Sequence, residues 1–209
     1  TQVPLPAVPI ELEVVDQFVP ASQVVLNEAT TLDAIKAIQT LEQPGVLHLA
    51  THASFDRRSP EDSYIQLWKE PLSMRAFSQL DWQSSDLELL ILSACSTALG
   101  SRNSELGFAG LAAASGVDAT MGSLWEVSDV GTLALMSEFY AQLEKTELRF
   151  EALRQAQLAL LNGETRIEGG NLVTGHGEIA LPDEWDLPDS APLDHPFFWS
   201  AFTMVGNPW

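Results

Sequence analysis

The chain has 209 residues, 45% of them hydrophobic, with ten basic against 29 acidic side chains and a net charge of −19. That much negative charge repels phosphate backbones and argues against DNA or RNA as partner, while it tolerates or attracts basic protein segments. A single cysteine excludes an internal disulfide and fits a reducing, cytoplasmic compartment; no run approaches the roughly 18 apolar residues of a membrane helix, and no signal peptide is apparent.

The chain opens on the Pro-rich Thr1-Gln2-Val3-Pro4-Leu5-Pro6, which suggests a domain cut from a longer protein. Val24-Val25-Leu26 reads as a short strand. Thr30 with Asp33 three residues on has the form of a capping box, and Leu32, Ile35, Ile38 and Leu41 follow at helical spacing until Pro44-Gly45 stops the helix. Val46 to Ala50 is an apolar run of the kind that forms a buried parallel strand. Residues 51–63 are polar and read as a loop. Tyr64 to Trp68 alternates like a strand. Ser73 is placed to cap a short helix through Leu80, and Leu87 to Leu92 is a second buried strand.

Past Cys95 lies a small-residue loop, then an Ala-rich helix from Phe108 to Ser115 stopped by Gly116. Ala119 to Leu124 is a third apolar run. Asp129 is placed to cap a helix over 130–143, and another helix spans Phe150 to Leu161. Residues 162–195 carry many Gly, Pro, Asp and Glu residues and read as one long acidic loop. The apolar ending, Phe197 to Trp199 and Phe202 to Val205, returns to the core. Strands alternating with helices predict a single α/β domain over 1–209 with a mostly parallel sheet.

In such a sheet, ligands and catalytic groups gather at the carboxyl ends of the strands. His52 follows the first buried strand and Cys95 the second. A thiol and an imidazole delivered from neighbouring strands form a nucleophile and its base: His52 takes the thiol proton and later protonates the leaving amine. Backbone amides near Ala53 and Cys95 are placed to hold the oxyanion. The plainer alternative is a buried cysteine acting as a small hydrophobe and a histidine held by structure. His48 and His52 stand four apart, but on a strand that is about 13 Å, too far for two ligands of one ion, so no metal and no cofactor is expected.

Six ordered segments carry a resemblance: His48-Leu49-Ala50-Thr51-His52, Leu92 to Gly100, Ser123 to Asp129, Leu135 to Tyr140, Glu151 to Gln157, and His195 to Phe202. Together they resemble the CHAT domain family, related to separases and metacaspases. The resemblance implies a caspase-hemoglobinase-like fold, with a mostly parallel sheet flanked by helices on both faces. It implies a Cys–His dyad of a thiol protease, with His52 on the family's histidine and Cys95 on its cysteine. Such domains commonly sit at the C-terminus of bacterial tetratricopeptide-repeat proteins, so the resemblance implies a repeat region of the same full-length chain that controls the site.

Two positions depart from the pattern. Many members have Gly directly after the histidine, where this chain has Ala53, which is unstrained only if its φ is negative. Metacaspases have an Asp two residues before the cysteine that binds basic side chains; here it is Ser93. Glu126 or Asp129, after the Leu-Trp pair, is a separase-like substitute for binding Arg or Lys before the scissile bond. The resulting expectation is an endopeptidase acting on a protein substrate; the alternative is a catalytically silent signalling module that binds a regulatory protein. The oligomeric state is left open.

Overall fold

A computed structural model describes residues 4–19, 22–56, 59–82, 86–93 and 107–209. Its helices in chain order are α1 (Val8–Phe18), α2 (Leu32–Ala37), α3 (Met74–Ser78), α4 (Gly107–Ala114), α5 (Asp129–Leu143), α6 (Arg149–Leu161) and α7 (Pro196–Trp199). The strands up to the middle of the chain are β1 (Val46–Leu49), β2 (Ala53–Ser54), β3 (Tyr64–Gln66), β4 (Pro71–Ser73), β5 (Leu89–Leu92) and β6 (Ala119–Ser123). After them come β7 (Arg166–Glu168), β8 (Asn171–Thr174), β9 (Gly177–Ala180), β10 (Ser190–Pro192) and β11 (Phe202–Gly206). The chain divides into two compact units, one of residues 25–126 and 202–207, the other of 1–24, 127–201 and 208–209.

The first of these units is built on a four-stranded sheet in the order β1-β5-β6-β11. β1, β5 and β6 are parallel, with Val46 opposite Leu89 and Leu89 opposite Ala119. β11 closes the sheet antiparallel to β6, Phe202 facing Ser123. The protein is thus α/β with a mostly parallel central sheet, as the alternation of elements predicts. Every residue of β5 and β6 is buried, which explains why both read as unbroken apolar or small-residue runs. α4 lies against β6 and β11, its Ala109 and Ala112 fully buried; small side chains allow that close approach. Gly116, at φ 112°, ends the helical segment as expected.

The core of this unit joins Leu47, Leu49, Leu90 and Leu92 of the sheet to Phe77, Trp82 and Phe108. The Phe77 ring stacks tilted on Trp82 at 4.9 Å and meets Phe108 edge-on at 5.4 Å, favoured aromatic geometries. The buried Trp82 indole N–H donates to the Phe77 carbonyl at 2.9 Å, so no polar atom of that ring is stranded.

Several local expectations are corrected. Val24 to Leu26 forms no strand with any of the described residues. The cap of α2 is Thr31, whose Oγ1 accepts from the Ala34 N–H at 3.2 Å, and not Thr30. After Ala37 the helix widens into a π turn over Ile38–Glu42. The extra residue in that turn breaks the 3.6-residue period, so Leu41 points to solvent at 77% exposure while Ile35 is buried. Residues 51–63 are not all loop: β2 lies there and pairs with β3 in a three-stranded antiparallel sheet, β2-β3-β4. Ser73 does cap α3, its hydroxyl accepting from the Ala76 N–H.

The other unit centres on α5, in which every residue from Val130 to Ala141 is buried. A helix covered on all sides is a core element, and α1, α6, α7 and β8 pack around it. Its cap is Ser128, whose Oγ accepts from the Gly131 N–H at 3.4 Å, and not Asp129, which is the first helical residue. Residues 162–195 are the largest correction. They form the antiparallel sheet β10-β7-β8-β9, with Ile167 and Leu172 buried in it and Leu181 and Leu193 buried just past β9 and β10. The glycines are its turn residues: Gly169 and Gly170, at φ 60° and 76°, connect β7 to β8, a conformation suited to tight hairpins.

Candidate active site

The site is assembled where the parallel strands end. β1 and β5 run in register with His48 opposite Ile91 and Leu49 opposite Leu92. Both therefore deliver their following residues to one end of the sheet: Thr51-His52 from β1, and Ser93 from β5. β6 ends at the same level, Gly122 opposite Leu92, so Leu124 to Glu126 emerges at that end too. This is the crevice position at which open α/β sheets hold their ligands.

His52 is half-buried and follows a bend at Thr51. Two bonds to one residue of β3 pin the bend: Thr51 Oγ1 donates to the Gln66 carbonyl at 2.7 Å, and the Gln66 N–H donates to the His52 carbonyl at 2.8 Å. The second bond also decides the next residue. Ala53 faces Ile65 across β2 and β3. With His52 and Gln66 bonded by that N–H, Ala53 and Ile65 form a non-hydrogen-bonded pair of the antiparallel ladder. The Ala53 N–H therefore points away from β3, at the outer edge of a sheet in which β2 is terminal. Ala53 is also not among the residues with positive φ, so alanine in place of the family's glycine imposes no backbone strain here.

His48 has a role that spacing alone did not suggest. Its side chain shares a sheet face with Ile91 and hence with Ser93 two residues on. Its Nε2 lies 2.8 Å from Ser93 Oγ, and Ser93 is buried at 8% exposure. A bond between residues 45 apart depends on strand register and leaves no trace in local pattern.

Cys95 falls in 94–106, outside the described residues. Glu126 is exposed between β6 and α5, and Asp129 is half-buried at the start of α5. These two acids belong to different compact units. The structure thus joins His48 to Ser93, and it places His52, Ala53 and Glu126 on segments that leave the same end of the sheet. Among the described residues, no group of three or more His, Cys, Asp or Glu is placed to hold a metal ion, and no helix is long and apolar enough to cross a membrane.

The family model for the CHAT domain matches residues 1–207. No curated protein matches the chain. On that match over nearly its whole length, the chain belongs to the CHAT domain family, a caspase-like and peptidase-related group.

Proposed function

We propose that the protein is a cysteine endopeptidase with Cys95 as nucleophile and His52 as its base. The observation that supports it best is the His52–Ala53 segment, held to β3 on one side and presenting a backbone N–H on the other. In this mechanism the Cys95 thiolate attacks the scissile carbonyl carbon, having passed its proton to His52. The amides of Ala53 and Cys95 stabilise the oxyanion of the tetrahedral intermediate. The C–N bond breaks as the His52 imidazolium protonates the leaving amine. Water, deprotonated by His52, then attacks the thioester and releases the acid and the free thiol.

The substrate is a protein, cut after a basic residue. The net charge of −19 favours approach of cationic peptides, and Glu126 or Asp129 is the acid proposed to receive the Arg or Lys side chain. A tetratricopeptide-repeat region of the same full-length protein controls access. The direct test is the alkylation rate of Cys95 against pH in the native chain and in His52→Ala. A rate sustained well below the ordinary thiol pKa of about 8.5, and lost in the variant, supports the dyad. A rate that rises only above pH ~8 and ignores the substitution overturns it, in favour of a catalytically silent module that binds a regulatory protein.

A further inference from the structure

The proposed dyad leaves His48 and Ser93 without a task, yet their bond sits at the end of the β1–β5 ladder, beside the strand ends that serve it. The β1–β5 ladder stops at the pair Leu49 and Leu92. Beyond it the backbone from β1 turns through Thr51 toward β2, while β5 is followed by Ser93, with Cys95 two residues later in the sequence. No short hairpin joins these two ends, because parallel strands are connected by long crossovers. At that end of the ladder the His48 ring reaches from β1 to the Ser93 hydroxyl at 2.8 Å. Ser93 is 8% exposed, and a buried hydroxyl is costly unless it is bonded.

We infer that His48 and Ser93 form a cross-strand clamp that sets the spacing between the strand end carrying His52 and the strand end leading to Cys95. Both are positioning residues. The inference rests on the Cys95–His52 reading, and it gives Ser93 work other than contact with substrate. A dyad is sensitive to such spacing: a displacement of about 1 Å costs up to ~100-fold in rate, and residues that orient reacting groups need locked supports of this kind.

Cys95 is the only cysteine, so iodoacetamide labelling followed by mass reports on it alone. The rate is measured from about pH 5 to 9 for the native chain, Ser93→Ala, Ser93→Thr, His48→Ala, the double variant Ser93→Ala/His48→Ala, and His52→Ala. The clamp predicts that Ser93→Ala lowers the rate near pH 6.5 about tenfold and moves its midpoint toward that of a free thiol. Ser93→Thr, which keeps the hydroxyl, restores the native profile. The double variant is no slower than the slower of the two single ones, since the shared bond is already lost in each. If His48→Ala does not fold, as judged by circular dichroism, the Ser93→Ala and Ser93→Thr pair decides. An activated thiol that His52→Ala abolishes but Ser93→Ala leaves untouched overturns the clamp while the dyad stands. A native profile already like a free thiol, unmoved by His52→Ala, overturns both.

Discussion

The hydroxyl of Thr165, just past α6, donates to Glu138 Oε1 in the middle of α5 across 2.5 Å. The same oxygen accepts the Gly175 N–H at 3.0 Å, and Oε2 lies 3.2 Å from His176 Nε2. The Glu138 side chain is 2% exposed and that of His176 21%. One carboxylate thus ties the central helix to the end of α6 and to the β8–β9 turn, where His176 also meets the Phe18 ring of α1 edge-on.

Replacing Glu138 by alanine strands the donors of Thr165 and Gly175 together. Groups of this kind left unsatisfied cost about 1–3 kcal/mol each. The expected loss is about 3 kcal/mol, read from urea unfolding, with Glu138→Gln losing less because its carbonyl still accepts. Equal stability of Glu138→Ala and the native chain would show that the network contributes nothing.

Gly206 offers a backbone test. Its φ is 113°, and a Cβ there would lie 2.1 Å from the Asp118 carbonyl oxygen, which already accepts the Asn207 N–H at 2.6 Å. The clash is with backbone, which cannot swing aside. Gly206→Ala is expected to cost about 2–4 kcal/mol through strain and a disturbed β6–β11 edge; a melting temperature within a degree of the native one would contradict this.

On α6, Glu151 accepts from both Arg154 Nε and Nη2 at 2.8 Å and from Gln155 Nε2 at 2.6 Å. The Arg154 guanidinium, then the Gln155 amide, hold its carboxyl down at about 2, below the usual carboxylate value near 4.5. A depressed folded-state pKa stabilises above the unfolded value, and that contribution is lost as pH falls from about 4.5 toward 2. The pair is exposed and screened, so the effect is small. Carboxyl NMR should place the Glu151 midpoint near 2, and the melting-temperature gap between the native chain and Glu151→Gln should close on acidification. A midpoint near 4.5 would refute the contact.

Ala53→Pro removes one N–H and no bond of the β2–β3 ladder, because the Ala53–Ile65 pair is a non-bonded one. Proline is tolerated at an edge position whose N–H faces outward. The expected outcome is a folded protein with peptide turnover reduced about 100- to 1,000-fold, the measured worth of an oxyanion donor. Full kcat in the variant would remove the Ala53 amide from the mechanism.

What local pattern reveals and what it hides divide along physical lines. β5 and β6 are legible because a strand buried on both faces must be apolar or small throughout, and β1 because its buried Leu47 and Leu49 stand in a short apolar run. The π turn after α2 is not legible, since Leu41 keeps helical spacing while the backbone beneath it adds a residue. Adjacent oxygens that can both cap, Thr30 and Thr31 or Ser128 and Asp129, differ only in backbone torsions that the residue types do not specify. In 162–195 the glycines and acids that suggested a loop are turn and surface residues of very short strands, whose alternation is too brief to register. The His48–Ser93 bond depends on register between distant segments, and the sequence shows neither partner as a pair.

β6 is finished before α5 begins, whereas β11, its antiparallel partner, comes after every other described strand. During synthesis β6 therefore emerges with one edge unpaired and must wait while α5, α6 and the β7–β10 sheet leave the ribosome. An open apolar edge is a template for pairing with other chains, and long-range pairing is slow. The order of translation thus exposes this sheet to aggregation in nascent chains, and a chain stopped before Phe202 would keep that edge open.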